Sequence, residues 1–259
     1  MPTSILRIAL LHLAAVPGDL ETNRRLVQAA VTSAAGLNAK WILTPELCIT
    51  GYDFADQIGT DWILHQPDAW MAGFCRLVKQ LRVTVFLSHP ERDRRTGKLY
   101  NSVFVIAPNG AIAGKHRKVH VLRVGAEAWS SPGDGAAPLR VPPTTVGILI
   151  CADAFTPNMA QRLKTGGARV LLSAAAWPPG LHGPNGEWER CTTETGLPLL
   201  VCNRTGPDRK LNFTEAESVV VKDGRKLLSF RSERSAMLLI DWDLATQTLV
   251  AHRAQKMSR

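Results

Sequence analysis

The sequence contains no pair of cysteines in CxxC spacing. Its five cysteines, Cys48, Cys75, Cys151, Cys191 and Cys202, are odd in number and widely separated. That excludes a disulfide framework and a cysteine-based zinc site. No apolar stretch approaches the roughly 20 residues of a membrane-spanning helix. The apolar segment Ile8 to Val16 lacks the basic region that opens a secretory signal. Free thiols in a chain of this kind fit a reducing, cytoplasmic setting and no membrane. Low-complexity linkers and internal repeats are also missing. The 259 residues therefore read as one domain, 1–259, with a polar C-terminal tail from about 251. Gly114-Lys115 is not a phosphate-binding loop, because the upstream glycine spacing and the following Ser or Thr are absent.

What is present is ordinary for a globular chain, with 45% hydrophobic and 20% charged residues. Net charge is +9 and the isoelectric point is near 9.7, but the basic residues are scattered rather than blocked. A basic surface attracts anions. No recognised nucleic-acid motif accompanies the charge, so no nucleic-acid partner is predicted. The charge points only weakly to a carboxylate-bearing substrate, an ω-amide or an N-carbamoyl acid.

Hydrophobic periodicity organises the chain. Arg7–Leu13, Trp41–Leu43, Val83–Ser88, Val146–Cys151, Arg169–Ser173, Pro198–Val201 and Ala236–Trp242 read as strands. Glu21–Leu37, Pro67–Gln80, Asn158–Gly166 and Gly186–Gly196 read as helices, the first with its apolar face at Leu26, Ala29, Ala30 and Ala34. Hairpins are expected at Ser102–Lys115 through PNG and at Ser218–Phe230 through KDG. Leu122–Pro143 reads as a glycine- and proline-rich loop. Strands and helices that alternate, interrupted by hairpins, predict an α/β fold with mixed sheets.

The apolar run VGILI delivers Cys151 and then Asp153 at its end. Chemistry in open α/β sheets gathers beyond the carboxyl ends of the strands. A buried cysteine is usually an inert small hydrophobe, which is the reading for the other four. A free thiol has a pKa near 8.5 and needs a base or a positive field to react. Glu46, set in TPEL directly after the run WIL, is a candidate base. Lys118, in KHRK, is a candidate source of the field, although a basic turn is the plainer reading of that string. His116 and His120 flank Lys118 but find no third ligand, so no metal is predicted. A Cys–His pairing of Cys151 with one of these histidines, and a scaffold that only binds, remain alternatives.

TPELCITGY, GKHRKVHVL and VGILICADAF, in that order, resemble the three signatures of the nitrilase superfamily, the carbon–nitrogen hydrolases. The likeness extends from Arg7 to about Trp242. By resemblance Glu46, Lys118 and Cys151 are the catalytic triad, and Glu127 before SPGD is a second glutamate that orients Lys118 or the substrate. Lys118 and the backbone N–H of Ala152 would form an oxyanion hole. SAAAWP, with Trp177, resembles the substrate-pocket segment, and Tyr52 and Trp129 are further pocket candidates. VCNRTG resembles a strand motif of the family. Three positions depart from the common pattern: Ala152 replaces a larger residue, Thr156-Pro157-Asn158 replaces FPE, and HRK replaces YRK. The resemblance implies a four-layer α-β-β-α sandwich, a homodimer, no cofactor, and a small-molecule amide, N-carbamoyl compound or nitrile as substrate.

Overall fold

Alternation along the strands explains the architecture. In the computed structural model, which describes residues 4–123, 125–180 and 183–257, the elements run β1 (Ile5–His12), α1 (Leu20–Gly36), β2 (Trp41–Leu43), α2 (Ala55–Ile58), α3 (Ala69–Leu81), β3 (Thr84–Arg92), β4 (Leu99–Ile106) and β5 (Ile112–Arg117). Then follow β6 (Leu139–Val141), β7 (Thr144–Ile150), α4 (Met159–Thr165), β8 (Val170–Ala175), α5 (Glu187–Thr195), β9 (Leu199–Asn203) and the two-residue β10 (Pro207–Asp208) and β11 (Leu211–Asn212). The chain closes with β12 (Ser218–Lys222), β13 (Arg225–Phe230), β14 (Ala236–Asp243) and β15 (Thr248–Lys256).

One sheet has the order β15-β14-β1-β2-β3-β4-β5, the other β13-β12-β9-β8-β7-β6. Each has three parallel central strands, β1-β2-β3 and β7-β8-β9, flanked by antiparallel partners. Successive strand side chains face opposite ways. Leu6, Ile8 and Leu10 of β1, with Val103 and Val105 of β4 and Leu238, Ile240 and Trp242 of β14, face the second sheet. Ala9 and Leu11 of β1, Phe104 and Ile106 of β4, and Met237 and Leu239 of β14 face α1 and α3. The second sheet is covered on its far side by α4 and α5, through Met159, Leu163 and Trp188. This is the expected four-layer α-β-β-α sandwich. Each fully buried Leu or Ile of the inter-sheet layer contributes about 1.5–3 kcal/mol.

Three expectations need correction. The face of α1 that is buried is Asn23, Val27, Ala30, Val31 and Ala34, while Ala29 is exposed. Asn23 is inside because its side chain bonds the backbone of Val16 and Ile49. The loop Leu122–Pro143 contains β6, which pairs with β7. The segment from 251, expected to be a polar tail, forms most of β15 and pairs with β14 along its length. Its side chains are largely exposed, so no hydrophobic alternation announces it. Backbone pairing makes the strand, and its Lys, Arg and His suit an outer sheet edge. Ser258 and Arg259, the end of that segment, lie outside the described residues.

Candidate functional site

The site assembles where strands of both sheets end. β2 is wholly buried and stops at Thr44-Pro45. Glu46 then sends its backbone N–H across to the Ala175 carbonyl of the other sheet, at 3.3 Å. Leu47 follows in the left-handed region, φ 51°, its N–H capped by Ser88 Oγ at 2.8 Å. At the end of β5 the pleat sends Lys115 and Arg117 to one face and His116 and Lys118 to the other. Gly133 lies so close that a Cβ there would stand 2.6 Å from the Arg117 carbonyl oxygen. Its N–H donates to the Lys118 carbonyl at 2.8 Å, which fixes the strand end.

At the end of β7, Cys151 has φ 47°. A non-glycine residue held there costs on the order of 1–3 kcal/mol and persists only where its surroundings impose it. Asp153 does the imposing. One carboxylate oxygen accepts the N–H groups of Val119 and His120, at 2.9 and 2.8 Å. The other accepts Ile150 N–H at 2.9 Å and pairs with His116 Nε2 at 2.8 Å. Burial works against charge on Asp153, but these donors hold its carboxyl below the usual range. Asp153 thus ties the strand end carrying Lys118 to the turn carrying Cys151.

Lys118 is buried, and its ammonium donates to Glu46 Oε1 at 2.7 Å and to Glu127 Oε1. Glu46 also accepts from Asn101 Nδ2 at 2.8 Å and from Ala176 N–H at 2.9 Å. Glu127 Oε2 accepts Leu122 N–H at 3.1 Å. One cation therefore serves two carboxylates in a dry setting. Burial raises the Glu46 carboxyl to about 7, with Lys118 pulling the other way and Glu127 adding to the rise. Burial opposes charge on Lys118, yet the two carboxylates hold the ammonium well above the usual lysine range. Burial, with Glu46 next, pushes the Cys151 thiol well up against the pull of Lys118. Its Sγ–H faces the Ala176 carbonyl at 3.8 Å.

Lys118 and Cys151 border one cavity of about 890 Å³. Tyr52, Lys118, Cys151, Ala152 and Trp177 line it, while Glu46 and Glu127 stand behind Lys118. Trp129 does not line it and packs edge-to-face on Phe54, with centroids 5.2 Å apart. His116 and His120 are likewise off the lining: the first pairs with Asp153 and the second lies against Phe155. Among the described residues no three His, Cys, Asp or Glu side chains gather as a metal site. No helix among them is long and apolar enough to cross a membrane.

The sequence profile described as "Carbon-nitrogen hydrolase" matches residues 7–246. The chain belongs to the carbon–nitrogen hydrolase family. This hydrolase is similar to a probable nitrilase of Schizosaccharomyces pombe, 24% identical over 208 residues, 78% of this chain and 75% of that protein. It is 29% identical over 248 residues to a glutamine-dependent NAD(+) synthetase of Rhodobacter capsulatus, spanning 92% of this chain but 44% of the synthetase. It is 34% identical over 169 residues to omega-amidase NIT2 of Xenopus tropicalis, 61% of this chain and 60% of that protein. In fold it matches Saccharomyces cerevisiae Nit3, of the nitrilase superfamily, with a TM-score of 0.81 at 20% identity over 93% and 92% of the two chains. A cysteine-to-alanine mutant of the amidase of Nesterenkonia sp. AN1, in complex with butyramide, matches with a TM-score of 0.77 at 24% identity, over 93% of each chain.

The hydrolase site also uses residues that the sequence did not single out. Asn101, the polar interruption in LYNSVFVI, holds Glu46 and accepts Lys118 N–H on its carbonyl at 2.8 Å. Asn203 brackets Trp177, accepting its N–H at 3.0 Å and donating to its carbonyl at 2.9 Å. Asp53, next to Tyr52, is a buried acid on the cavity wall. The polar pair Asn101-Ser102 in an otherwise apolar strand was the available signal for Asn101. Asp53 had none beyond its neighbour.

Proposed function

We propose that this hydrolase cleaves the C–N bond of a small amide or N-carbamoyl compound through a thioester on Cys151. The observation that carries the reading is the thiol at the end of β7 sharing a cavity with Lys118, whose ammonium is buried between Glu46 and Glu127. A thiol with a raised pKa rests protonated and needs a base. A carboxyl raised to about 7 is a base suited to neutral pH. Glu46 takes the proton as Cys151 Sγ attacks the carbonyl carbon. The developing oxyanion is met by the Lys118 ammonium and the N–H of Ala152. Glu46 then protonates the leaving nitrogen, which departs as ammonia or amine. Water, deprotonated by Glu46, attacks the thioester and releases the acid. Glu127 keeps Lys118 in place and charged rather than touching substrate. A relative named as an omega-amidase supports amide cleavage, and a relative named as a probable nitrilase makes a nitrile the alternative substrate.

Intact-protein mass spectrometry on wild type and Cys151→Ala, with short amides, N-carbamoyl amino acids and nitriles and with ammonia assayed in parallel, tests the reading. An acyl adduct and ammonia release that both require Cys151 are expected. An adduct that persists in Cys151→Ala, or ammonia release unaffected by the substitution, overturns the assignment.

A further inference from the structure

The protein carries a large basic excess, yet the wall of the cavity does not share it. Among the described lining residues Asp53, Asp56 and Glu187 are acidic, and only Lys118 and Lys210 are basic. Lys118 is committed to Glu46 and Glu127. Lys210 lies 3.5 Å from Asp56 at the exposed rim, and Glu187 accepts the Asn185 N–H. Asp53 is different. It is 4% exposed, and its Oδ2 is buried with no hydrogen-bond partner. A buried carboxylate oxygen left unpaired is costly, on the order of 1–3 kcal/mol or more.

The backbone that carries Asp53 is firmly held. Asp208 accepts the N–H groups of Tyr52 and Asp53, at 2.8 and 3.1 Å, and is itself paired with the buried Arg204. The Asp53 carbonyl accepts Gln57 Nε2 at 3.3 Å. The bonds that shape this turn therefore leave the Asp53 carboxylate unused, one residue from Tyr52, whose hydroxyl burial pushes well above the usual tyrosine range. An apolar wall of Phe155, Trp177 and Leu211 completes the same cavity.

We infer that Asp53 is a specificity-determining residue that binds a protonated amine on the substrate, remote from the scissile C–N bond. The preferred substrate is then an amide or N-carbamoyl compound with an apolar chain ending in an ammonium group. This inference rests on the amide-cleaving reading of the same cavity. It runs against the expectation of a carboxylate-bearing substrate drawn from net charge, because net charge does not locate a site and the unpartnered group here is an acid. An ammonium reaching Asp53 makes a charge-assisted hydrogen bond that a neutral alkyl chain cannot make.

The test separates binding from turnover. Calorimetric titration of Cys151→Ala, which cannot form the thioester, compares 5-aminopentanamide, pentanamide and glutaric acid monoamide. The amino compound is expected to bind about tenfold or more tighter than the neutral one, with the acid weakest. Adding Asp53→Asn is expected to remove that preference, and Asp53→Glu to retain part of it. Equal or tighter binding of the neutral or acidic amide overturns the inference, and so does a preference that survives Asp53→Asn. Ammonia release by the wild type is scored separately. Turnover without preference for the amine sinks the inference and leaves the amidase reading standing. Asp53-dependent binding without ammonia release sustains the cation site and sinks the amidase reading.

Discussion

Two ion clusters lie on opposite faces of the same strand end and behave in opposite ways. On the outer face of β5, Glu91 receives Arg117 Nε at 2.7 Å, Lys115 Nζ at 2.5 Å and Ser102 Oγ at 2.9 Å. Arg117 continues to Asp93 at 2.8 Å and stacks over Tyr100, 3.9 Å from its centroid. On the inner face Lys118 alone serves Glu46 and Glu127. Burial raises the Glu91 carboxyl, but two cations and a hydroxyl outweigh it and the net shift is downward. At Glu46 burial wins, and the group moves to about 7. Burial and the supply of cations decide the outcome together. Two cations, one of them shared with Asp93, outweigh the milder burial of Glu91 and keep it ionised. One cation for two carboxylates leaves a proton site that works near neutral pH.

Removing the single inner cation tests this contrast with the largest effect. Lys118→Met is expected to lower kcat/KM by about a hundredfold to a thousandfold, since an oxyanion donor is lost. It should also cost on the order of 3–5 kcal/mol of stability at pH 8, because the two carboxylates are left facing each other. That loss should shrink at pH 6, where one carboxyl takes up a proton. Urea denaturation at the two pH values checks it, and a pH-independent loss would contradict the shared-cation picture.

The pH profile sharpens the comparison next. A base works in its deprotonated form, so activity should be present above about pH 7 and fall about tenfold per unit below it, as Glu46 protonates. A kcat/KM profile flat from pH 5 to 8 would remove Glu46 from the base role. Glu46→Gln should leave only residual turnover with no such inflection.

The outer cluster should give the smallest effect. Glu91→Gln removes two charge-assisted bonds and is expected to cost about 1–3 kcal/mol by urea denaturation. Its kcat/KM should stay within about threefold of wild type, as expected for sites without shared partners. A larger kinetic effect would mean that the two faces of β5 are coupled.

Legibility followed distance along the chain. WIL and VGILI were readable because each is a local pattern of a buried strand giving way to a reactive side chain, whereas KHRK, at the end of the largely unburied β5, stood out only through its resemblance to a family motif. The run Trp41–Leu43 coincides with β2. β15 was not readable, because its residues bury little and pair only through backbone bonds to β14. Asn101 and the Ala176 N–H were not readable as partners of Glu46, since they arrive from 55 and 130 residues away.

The sequence by itself determined that Glu46 and Cys151 follow buried strands, because strand burial and its interruption are written in neighbouring residues. It also determined the family, through motifs of the same local kind. Only the tertiary structure decided which charges share a cation, because that depends on two sheets meeting face to face. Tertiary packing also decided that, among the described lining residues of a basic protein's cavity, a buried acid, Asp53, has a carboxylate oxygen without a partner. Composition sums charges over the whole surface, whereas recognition depends on the few that packing leaves unpaired.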